Sequence, residues 1–319
     1  MCLWGVLSEG IHVRMKVLVT GGSGFIGRRL KLVKPDWIYV SSKDYDLTSS
    51  YQTRGMIRDH QYLDAIIHLA GKVGGVKDNT NKQAEYMYQN LKINTNVVHE
   101  AYKEKVPRLL SALSTCVFPD HLDYYPFVEG DLFKGPPTDS NFSYGYAKRC
   151  LHVMSKAYRQ QYNLDYSTFS PSNVYGPDDN FDPESSHFVP SMLKKFHEAK
   201  DGDTLEFWGS GDPRRQQLYV DDLCEIIPFL LDNHHSGDPL IVAPNFSRSI
   251  KDMVVDCKDM MGKDVEYYFN GKLDGQFRKD GSNTKLMELK PTIVFTHFKK
   301  GLKQTYDWLL ENGNYNRVQ

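Results

Sequence analysis

The amino-acid sequence predicts an α/β protein built on a doubly wound parallel sheet, with a smaller domain interwoven at its C-terminal side. Three observations predict this fold class. Short apolar runs alternate with longer helical stretches, the first run leads into a glycine-rich turn, and polar residues follow where several runs end. Strands that alternate with helices favour a parallel sheet, and such sheets bind ligands at the carboxyl ends of their strands. We therefore expect the functional site at that edge.

The first apolar run, residues 16–20, is followed by Gly21, Gly24 and Gly27 and then by the start of a helix. Gly21 permits a tight turn, Gly24 lets the backbone approach a pyrophosphate, and Gly27 lets the helix pack closely on the strand. The spacing differs from the usual Gly-x-Gly-x-x-Gly, and a plain turn is the alternative. The order strand, turn, helix favours a Rossmann-like dinucleotide site.

The second predicted strand, residues 37–40, ends in Ser41, Ser42 and Lys43. NAD sites place an acidic residue about 20 residues after the glycine motif, where it binds the ribose 2′-hydroxyl. Hydroxyls and a cation instead suit a 2′-phosphate, so the sequence favours NADP, although Asp44 follows directly.

Further elements are predicted by the same alternation of apolar runs and helical segments. In chain order they are strand 65–70, helix 84–103, strand 108–113, a helix carrying Tyr144 and Lys148, strand 166–169, and returns to the sheet at 217–231 and 239–242. From residue 178 the content of turn and polar residues rises. We therefore expect a dinucleotide-binding domain over residues 15–177, completed by about 217–243, and mainly a substrate domain over 178–319.

The composition excludes several classes of protein. Lys and Arg number 39 against 40 Asp and Glu, so no global positive field would recruit nucleic acid or a membrane surface. The five cysteines are far apart, which argues against a disulfide framework or a metal site. Residues 1–14 do not resemble a secretory signal and are expected to be an extension or an upstream start before Met15. We expect a cytoplasmic protein.

Tyr144 and Lys148 lie four residues apart, so on a helix their side chains share one face. A neighbouring ammonium favours the phenolate, which would bring the tyrosine pKa down from about 10 and allow proton exchange near neutrality. Because the chain has 20 tyrosines, chance spacing on an exposed helix is the alternative. Together with the glycine turn and Ser114, which directly follows the predicted strand 108–113, the pair indicates a reductase.

Longer strings carry a resemblance to a known family. They are residues 71–75, 113–119, 135–137, 141–149, 175–181, 186–187, 208–216 and 274–279. The chain resembles the extended short-chain dehydrogenases/reductases, and within them the GDP-L-fucose synthases, from residue 16 to beyond 300. This resemblance implies an oxidoreductase and isomerase that performs NADPH-dependent 3,5-epimerisation and 4-reduction of GDP-4-keto-6-deoxy-D-mannose. It also implies a homodimer formed through helix 84–103 and the Tyr144 helix.

The resemblance also implies the roles of individual residues. Cys116 and His187 match the acid/base pair that inverts C3 and C5, while Ser114 and Tyr144 would hydrogen-bond the C4 oxygen. Tyr144 would then protonate the new alkoxide, and Lys148 would lower the tyrosine pKa and orient the nicotinamide ribose.

Two sets of binding residues follow from the same resemblance. The cofactor set is Gly21, Gly24, Phe25, Ile26, Gly27, Ser42, Lys43, Asp46, Leu47, Leu69, Ala70, Tyr144, Lys148, Pro171, Asn173 and Val174. The substrate set is Asn173, His187, Lys195, Trp208, Arg215 and Lys279. Lys195 stands where an arginine is often found and Gln217 where an aromatic residue is expected, and Trp208 packed in a core is the alternative to a nucleotide contact.

Other functions remain open from the sequence. A 4-reductase without epimerase activity, or a 4-epimerase, could act on another nucleotide sugar with the same motifs. A 4,6-dehydratase would carry acidic residues where this chain has Thr115 and Cys116. A non-catalytic NADP-sensing scaffold would often lose the Tyr144/Lys148 pair, which this chain retains.

Overall fold

The computed structural model describes residues 15–182, 185–272 and 274–313, without the side chains of residues 76 and 77. The strands are β1 (Val17–Thr20), β2 (Ile38–Val40), β3 (Ala65–His68), β4 (Arg108–Ala112), β5 (Asp165–Pro171), β6 (Asn173–Tyr175), β7 (Thr204–Phe207), β8 (Arg214–Arg215), β9 (Gln217–Tyr219), β10 (Leu240–Val242), β11 (Arg248–Ser249), β12 (Glu266–Phe269) and β13 (Arg278–Lys279). The helices are α1 (Phe25–Val33), α2 (Ser50–Asp59), α3 (Val76–Asn81), α4 (Gln83–Lys103), α5 (Phe142–Tyr162), α6 (Phe188–Glu198), α7 (Val220–Asn233), α8 (Ile250–Met261), α9 (Thr284–Leu289) and α10 (Phe298–Asn312).

Within the described residues, six parallel strands form the main sheet in the order β10-β5-β4-β3-β1-β2. Every residue of β1, β3 and β4 is buried, as expected for a parallel sheet covered by helices on both faces. The predicted fold class is therefore confirmed. One apolar cluster covers each face: Leu18, Ile66 and Leu109 point into one, Val19 and Ile67 into the other.

The direction of winding reverses at β1. Strand β1 pairs with β2 on one side and with β3 on the other. In doubly wound sheets the ligand crevice opens at this switch point, outside the carboxyl ends of the strands. The glycine turn after β1 and the loops after β2, β3 and β4 all lie at that edge, as the sequence predicted.

The two predicted returns to the sheet behave differently. Strand β10 pairs with β5, with Leu240 opposite Phe169, so the return at 239–242 is confirmed. The return predicted at 217–231 is wrong. Strand β9 pairs with β6 in a separate sheet, and Val220–Asn233 forms α7, which packs against α1 on one face of the main sheet. The edge beside β5 is occupied by β10, and residues 217–219 pair with Asn173–Tyr175 instead.

The later part of the chain builds its own core. Two small sheets, β11-β8-β13 and β12-β7, lie near α6, α8 and α10. Buried aromatic residues such as Phe181, Phe196 and Phe298 form an apolar cluster distinct from the two that cover the main sheet. A separate core supports a second domain, while the boundary at residues 177 and 178 stays a prediction.

In the described ranges, no helix is long and apolar enough to cross a bilayer. The same ranges contain no group of three or more His, Cys, Asp or Glu side chains arranged to hold a metal ion. Cys116, Cys150, Cys224 and Cys257 are free thiols. The expected extension at residues 1–14, including Cys2, lies outside the described residues.

Candidate active site

The glycine turn forms a backbone cradle at the N-terminus of α1. Gly21 has a φ of 75°, a left-handed conformation that favours glycine. A Cβ on Gly27 would lie 2.3 Å from the Gly21 carbonyl oxygen, whereas a Cβ on Gly24 would meet only that oxygen, at 3.0 Å. The turn is thus closed on the protein side and open at Gly24, which fits a pyrophosphate at a helix N-terminus. Gly22, whose role the sequence does not reveal, packs on Tyr39: a Cβ on Gly22 would lie 2.7 Å from the Tyr39 Cβ.

The loop after β2 presents a hydroxyl and a cation to solvent. Ser42 and Lys43 are exposed. The carboxylate of Asp44 folds back onto Ser41, accepting bonds from its backbone N–H and its hydroxyl, both at 2.7 Å. The Ser41 hydroxyl lowers the pKa of Asp44, so this carboxylate is ionised and already engaged. The loop therefore retains the character that suits a 2′-phosphate despite the neighbouring acid.

A buried chain of hydrogen bonds lies beneath the glycine turn and was not predicted. Thr20 Oγ1 and His68 Nδ1 are 2.8 Å apart, and His68 Nε2 lies 3.1 Å from Asn94 Oδ1. Asn94 donates to the backbone oxygen of Ala147, the residue before Lys148, at 3.3 Å. Burial, helped by the charge of Lys148, lowers the pKa of His68 to about 3, so its ring is neutral. These hydrogen bonds fix the glycine turn after β1 relative to α5, the helix that carries Lys148.

Other cofactor candidates lie around this edge. Phe25 and Ile26 form the first turn of α1, Leu69 and Ala70 follow β3, and Pro171 ends β5. The Ala70 N–H donates to Thr20 Oγ1 at 3.3 Å.

The remaining cofactor candidates have visible local roles. Asp46 accepts from the backbone N–H and the hydroxyl of Thr48, at 2.9 and 2.8 Å, which fixes the turn before α2. Leu47 is buried in a core cluster. Asn173 donates to the Gln216 carbonyl oxygen at 3.2 Å, and Val174 packs against the apolar cluster beside α7.

Helix α5 carries Tyr144 and Lys148 into the interior. Lys148 is 2% exposed, and its ammonium donates to the Ala112 carbonyl oxygen at 2.9 Å and lies 6.0 Å from the centre of the Tyr144 ring. Burial lowers the pKa of Lys148 to about 8. The alternative of a chance pair on an exposed helix face does not fit these positions.

The pKa of Tyr144 moves opposite to the expectation. Burial raises it, with further contributions from the nearby Cys116 and Tyr86. The proximity of Lys148 was expected to lower this pKa, and that expectation is wrong, because desolvation disfavours the phenolate. The resting tyrosine is therefore a protonated donor rather than a phenolate.

Ser114 and Cys116 lie on a single turn of 3₁₀ helix after β4. The Cys116 N–H donates to Ser114 Oγ at 3.3 Å, so the serine caps this turn. Burial raises the pKa of the Cys116 thiol, but the charge and hydrogen bond of Lys279, the Ser114 hydroxyl and the charge of Arg215 outweigh it, and the net pKa is lowered. A partly exposed thiol with a lowered pKa is suited to proton abstraction.

Lys279, predicted to contact the substrate, lies beside Cys116. Its Nζ is 2.9 Å from Cys116 Sγ, and Lys279 is buried. Arg215 is its cross-strand partner, because β13 pairs with β8 with Lys279 opposite Arg215. Burial lowers the pKa of Arg215, and the charge of Cys116 is the largest influence opposing that effect. Two residues predicted to hold the substrate thus also surround the candidate base.

Arg149 fastens the Cys116 turn to the Tyr144 helix, a role that the sequence reading missed. Its guanidinium donates to the carbonyl oxygens of Val117 and Gly135, at 2.5 and 2.8 Å. Gly145 permits close contact, because a Cβ there would lie 2.8 Å from the Cys116 carbonyl oxygen. Cys116 and Tyr144 are therefore held at fixed relative positions.

His187 lies at the N-terminal end of α6, where it is the N-cap residue and is exposed. The segment before it docks on the glycine loop after β3: the Gly75 N–H donates to the Ser185 carbonyl oxygen at 3.1 Å. A Cβ on Gly75 would lie 2.8 Å from the Ser186 carbonyl oxygen, so glycine is required for this contact. This loop joins the His187 segment to the edge of the main sheet.

The remaining substrate candidates lie on α6 and just after β7. Trp208 is 71% exposed, which excludes its packing in a core and leaves its ring free to stack on a base. The Lys195 ammonium donates to the Glu206 carbonyl oxygen at 2.5 Å and lies 4.9 Å from the centre of the Phe207 ring. Lys195 is thus held against β7, the strand that ends directly before Trp208.

Comparisons with known proteins identify the family of this chain. Residues 17–243 match the model of the NAD dependent epimerase/dehydratase family. A probable GDP-L-fucose synthase of Drosophila melanogaster is 34% identical, covering 93% of this chain and 98% of the relative. The GDP-L-fucose synthase of Escherichia coli is 31% identical, covering 94% of this chain and 98% of the relative.

A solved structure of a relative has the same fold. The GDP-L-fucose synthetase of Naegleria fowleri bound to NADP superposes with a TM-score of 0.87 at 32% identity, covering 95% of each chain. The chain belongs to the NAD dependent epimerase/dehydratase family.

Proposed function

We propose that this protein converts GDP-4-keto-6-deoxy-D-mannose to GDP-L-fucose, inverting C3 and C5 and then reducing C4 with NADPH. The observation that carries the proposal is one edge of the sheet at which a protonated Tyr144, a buried Lys148 and a thiol of lowered pKa, Cys116, converge. The near-full-length similarity to GDP-L-fucose synthases supports the choice of substrate.

Epimerisation requires a base and an acid on opposite faces of the sugar. The 4-keto group acidifies the hydrogens on C3 and C5, and Cys116, as a thiolate, removes them in turn. His187, on the segment that docks against Gly75, returns a proton from the other face. Ser114 and Tyr144 donate hydrogen bonds to the C4 oxygen, where negative charge develops as each proton leaves. A positioned proton-transfer group typically contributes ~10²–10⁴-fold to the rate.

Reduction uses the same C4 oxygen. NADPH supplies the hydride that reduces C4 when it is bound in the glycine turn. Tyr144, which is protonated at rest, gives its proton to the C4 oxygen as the alkoxide forms. Lys148 holds the hydroxyls of the nicotinamide ribose and favours the tyrosinate that remains. Burial of both side chains excludes water from this transfer.

The GDP moiety is held by the second domain. Trp208 offers an exposed aromatic surface, while Arg215 and Lys195 are cations within the same part of the chain. Planar guanidinium groups suit bidentate contact with phosphate oxygens, so Arg215 is assigned to the diphosphate.

Two further properties complete the proposal. Helices α4 and α5 pack against each other and expose Tyr88 and Val153, which suits a homodimer built on these two helices. The protein acts in the cytoplasm, without nucleic-acid or membrane partners. Light scattering at micromolar concentration should give twice the monomer mass, and a monomer would contradict the dimer.

The test of the function is the identity of the product. Purified protein is incubated with GDP-4-keto-6-deoxy-D-mannose and NADPH, and the product is analysed by NMR. We expect GDP-L-fucose, with C3 and C5 inverted and C4 reduced. A product reduced at C4 but unchanged at C3 and C5 would indicate a 4-reductase instead. Activity that survives Tyr144→Phe would remove the assigned proton donor, and absence of turnover in the wild type would favour a non-catalytic scaffold.

A further inference from the structure

The pair formed by Cys116 and Lys279 has a geometry that a nucleotide contact does not explain. Lys279 Nζ lies 2.9 Å from Cys116 Sγ, in direct hydrogen-bonding contact, although the two residues are 163 positions apart in the chain. The neighbouring acid, Asp280, accepts instead from Arg278 Nε at 2.7 Å. The ammonium is therefore directed at the thiol.

The strand that carries Lys279 is fixed to the main domain from both sides. Before it, the Gln276 amide donates to the carbonyl oxygens of Pro119 and Asp120, both at 3.1 Å. After it, the Phe127 N–H donates to the Asp280 carbonyl oxygen at 2.8 Å. Both anchors lie in the chain that follows Cys116. The lysine is thus held against the thiol by the fold, not by the flexibility of its own side chain.

The charges around the thiol favour its ionised form. Lys279 approaches from β13, Arg215 from β8, and the neutral Tyr144 from α5, while the Ser114 hydroxyl lies on the same turn. The acids Asp120, Asp274 and Asp280 act on Arg215, whose pKa their charges raise. Cations therefore dominate the electrostatic surroundings of this sulfur.

We infer that Lys279 is a positioning residue for the epimerase base, holding Cys116 as a thiolate before the sugar binds. The inference rests on the proposed function, in which Cys116 removes the protons from C3 and C5. In each abstraction the sulfur lone pair takes the proton, the C–H electrons pass to the C4 oxygen, and the Lys279 ammonium remains charged. The resulting thiol returns its proton to water before the next abstraction.

This role differs measurably from a purely substrate-binding one. A lysine that only bound the diphosphate would change KM for the sugar nucleotide and leave the thiol unaltered. A lysine that acts through Cys116 changes the reactivity of the thiol when no sugar is present.

The experiment measures alkylation of Cys116 by iodoacetamide against pH in the full-length protein without substrate. Peptide mass spectrometry separates the Cys116 adduct from the exposed Cys150, and Cys116→Ser identifies the peptide. Lys279→Met is compared with Lys279→Arg, which keeps the charge, and with Lys272→Met, an exposed lysine in the preceding loop.

We expect the wild-type midpoint to lie below the ordinary cysteine value of about 8.5, and Lys279→Met to raise it by at least about one pH unit. The thiolate fraction at pH 7 then falls by up to about tenfold, and because a thiolate of higher pKa is more nucleophilic, alkylation slows by about threefold. Lys279→Arg should restore most of the rate, and Lys272→Met should match the wild type. A thermal unfolding transition like that of the wild type shows that Lys279→Met is folded.

An unchanged alkylation midpoint in Lys279→Met overturns the inference about Lys279. If the wild type still makes GDP-L-fucose, the proposed function stands without that inference. A shifted midpoint in a protein that exchanges no deuterium into C3 or C5 overturns the base role and the epimerase half of the proposed function together.

Discussion

Replacing Lys148 by methionine should stabilise the protein while inactivating it. Burial lowers the pKa of Lys148 from 10.5 to about 8, so the folded state disfavours the ammonium. A shift of this size corresponds to about 3 kcal/mol near neutral pH. Methionine loses the hydrogen bond to the Ala112 carbonyl oxygen, worth about 1 kcal/mol, which leaves a net gain of about 2 kcal/mol.

The gain should depend on pH in a defined direction. Below pH 8 both folded and unfolded wild type carry the proton, and the full penalty of burying the charge is present. Between about pH 8 and 10.5 the unfolded chain binds more protons than the folded one, so the wild type gains stability relative to the variant as pH rises. The advantage of Lys148→Met should therefore disappear by about pH 10.5.

Thermal unfolding of the ligand-free protein at pH 7 and at pH 10 measures this effect. Two kcal/mol corresponds to a Tm rise of roughly 4–8 °C for domains of 150–250 residues, and of less for a longer chain. Lys300→Met, at an exposed lysine, is the control and should change Tm little at either pH. A lower Tm for Lys148→Met at pH 7 would refute the reasoning, because it would mean that the buried ammonium stabilises the fold. The variant should also lose at least about 10²-fold in NADPH oxidation.

Three further variants test other parts of the site. Gly27→Ala should weaken NADPH binding at least tenfold in a fluorescence titration, because the new Cβ would lie 2.3 Å from a backbone oxygen. The control Gly55→Ala, in open space on α2, should leave NADPH binding unchanged and raise the free energy of unfolding by about 0.5–1 kcal/mol. Equal NADPH affinities in the two variants would contradict the close packing at Gly27. Lys43→Met should raise the Kd of NADPH about tenfold and leave that of NADH unchanged, and equal losses for both would remove the 2′-phosphate assignment. Arg149→Met should slow deuterium exchange at C3 and C5 at least tenfold and leave NADPH affinity within twofold. The variant loses the hydrogen bonds that hold the Cys116 turn and leaves the glycine turn unaltered. Unchanged exchange would show that these hydrogen bonds to Val117 and Gly135 are not needed to position Cys116.

The parts of the site that lie at strand ends could be predicted from the sequence. Apolar runs locate the strands, and parallel pairing then brings Gly21, Ser42 and Ser114 to one edge whatever the loop details. The helical spacing of Tyr144 and Lys148 likewise determines that they share a face.

The parts that depend on tertiary contact could not be predicted. The approach of Lys279 to Cys116 joins residues 163 positions apart and follows from the pairing of β13 with β8, which two-residue strands do not reveal in sequence. The raised pKa of Tyr144 depends on burial, which cannot be read from its spacing to Lys148. The wrong placement of residues 217–219 has a similar cause, because an apolar strand does not specify which edge it joins.

The role of Arg149 was hidden for another reason. It follows Lys148 directly, but its side chain leaves the helix in another direction and reaches the carbonyl oxygens of Val117 and Gly135. Its partners are backbone atoms of irregular segments, for which residue types give no signal. Such contacts position the reacting groups and appear only in the folded protein.

The central claim is that one site performs both proton exchange and reduction. The most direct test is to run the reaction with GDP-4-keto-6-deoxy-D-mannose and NADPH in D₂O and to measure the deuterium at C3 and C5 of the product per NADPH oxidised. We expect deuterium at both carbons, one NADPH consumed per product, and loss of the label in Cys116→Ser. NADPH oxidation that yields a product without deuterium at C3 and C5 would contradict the claim.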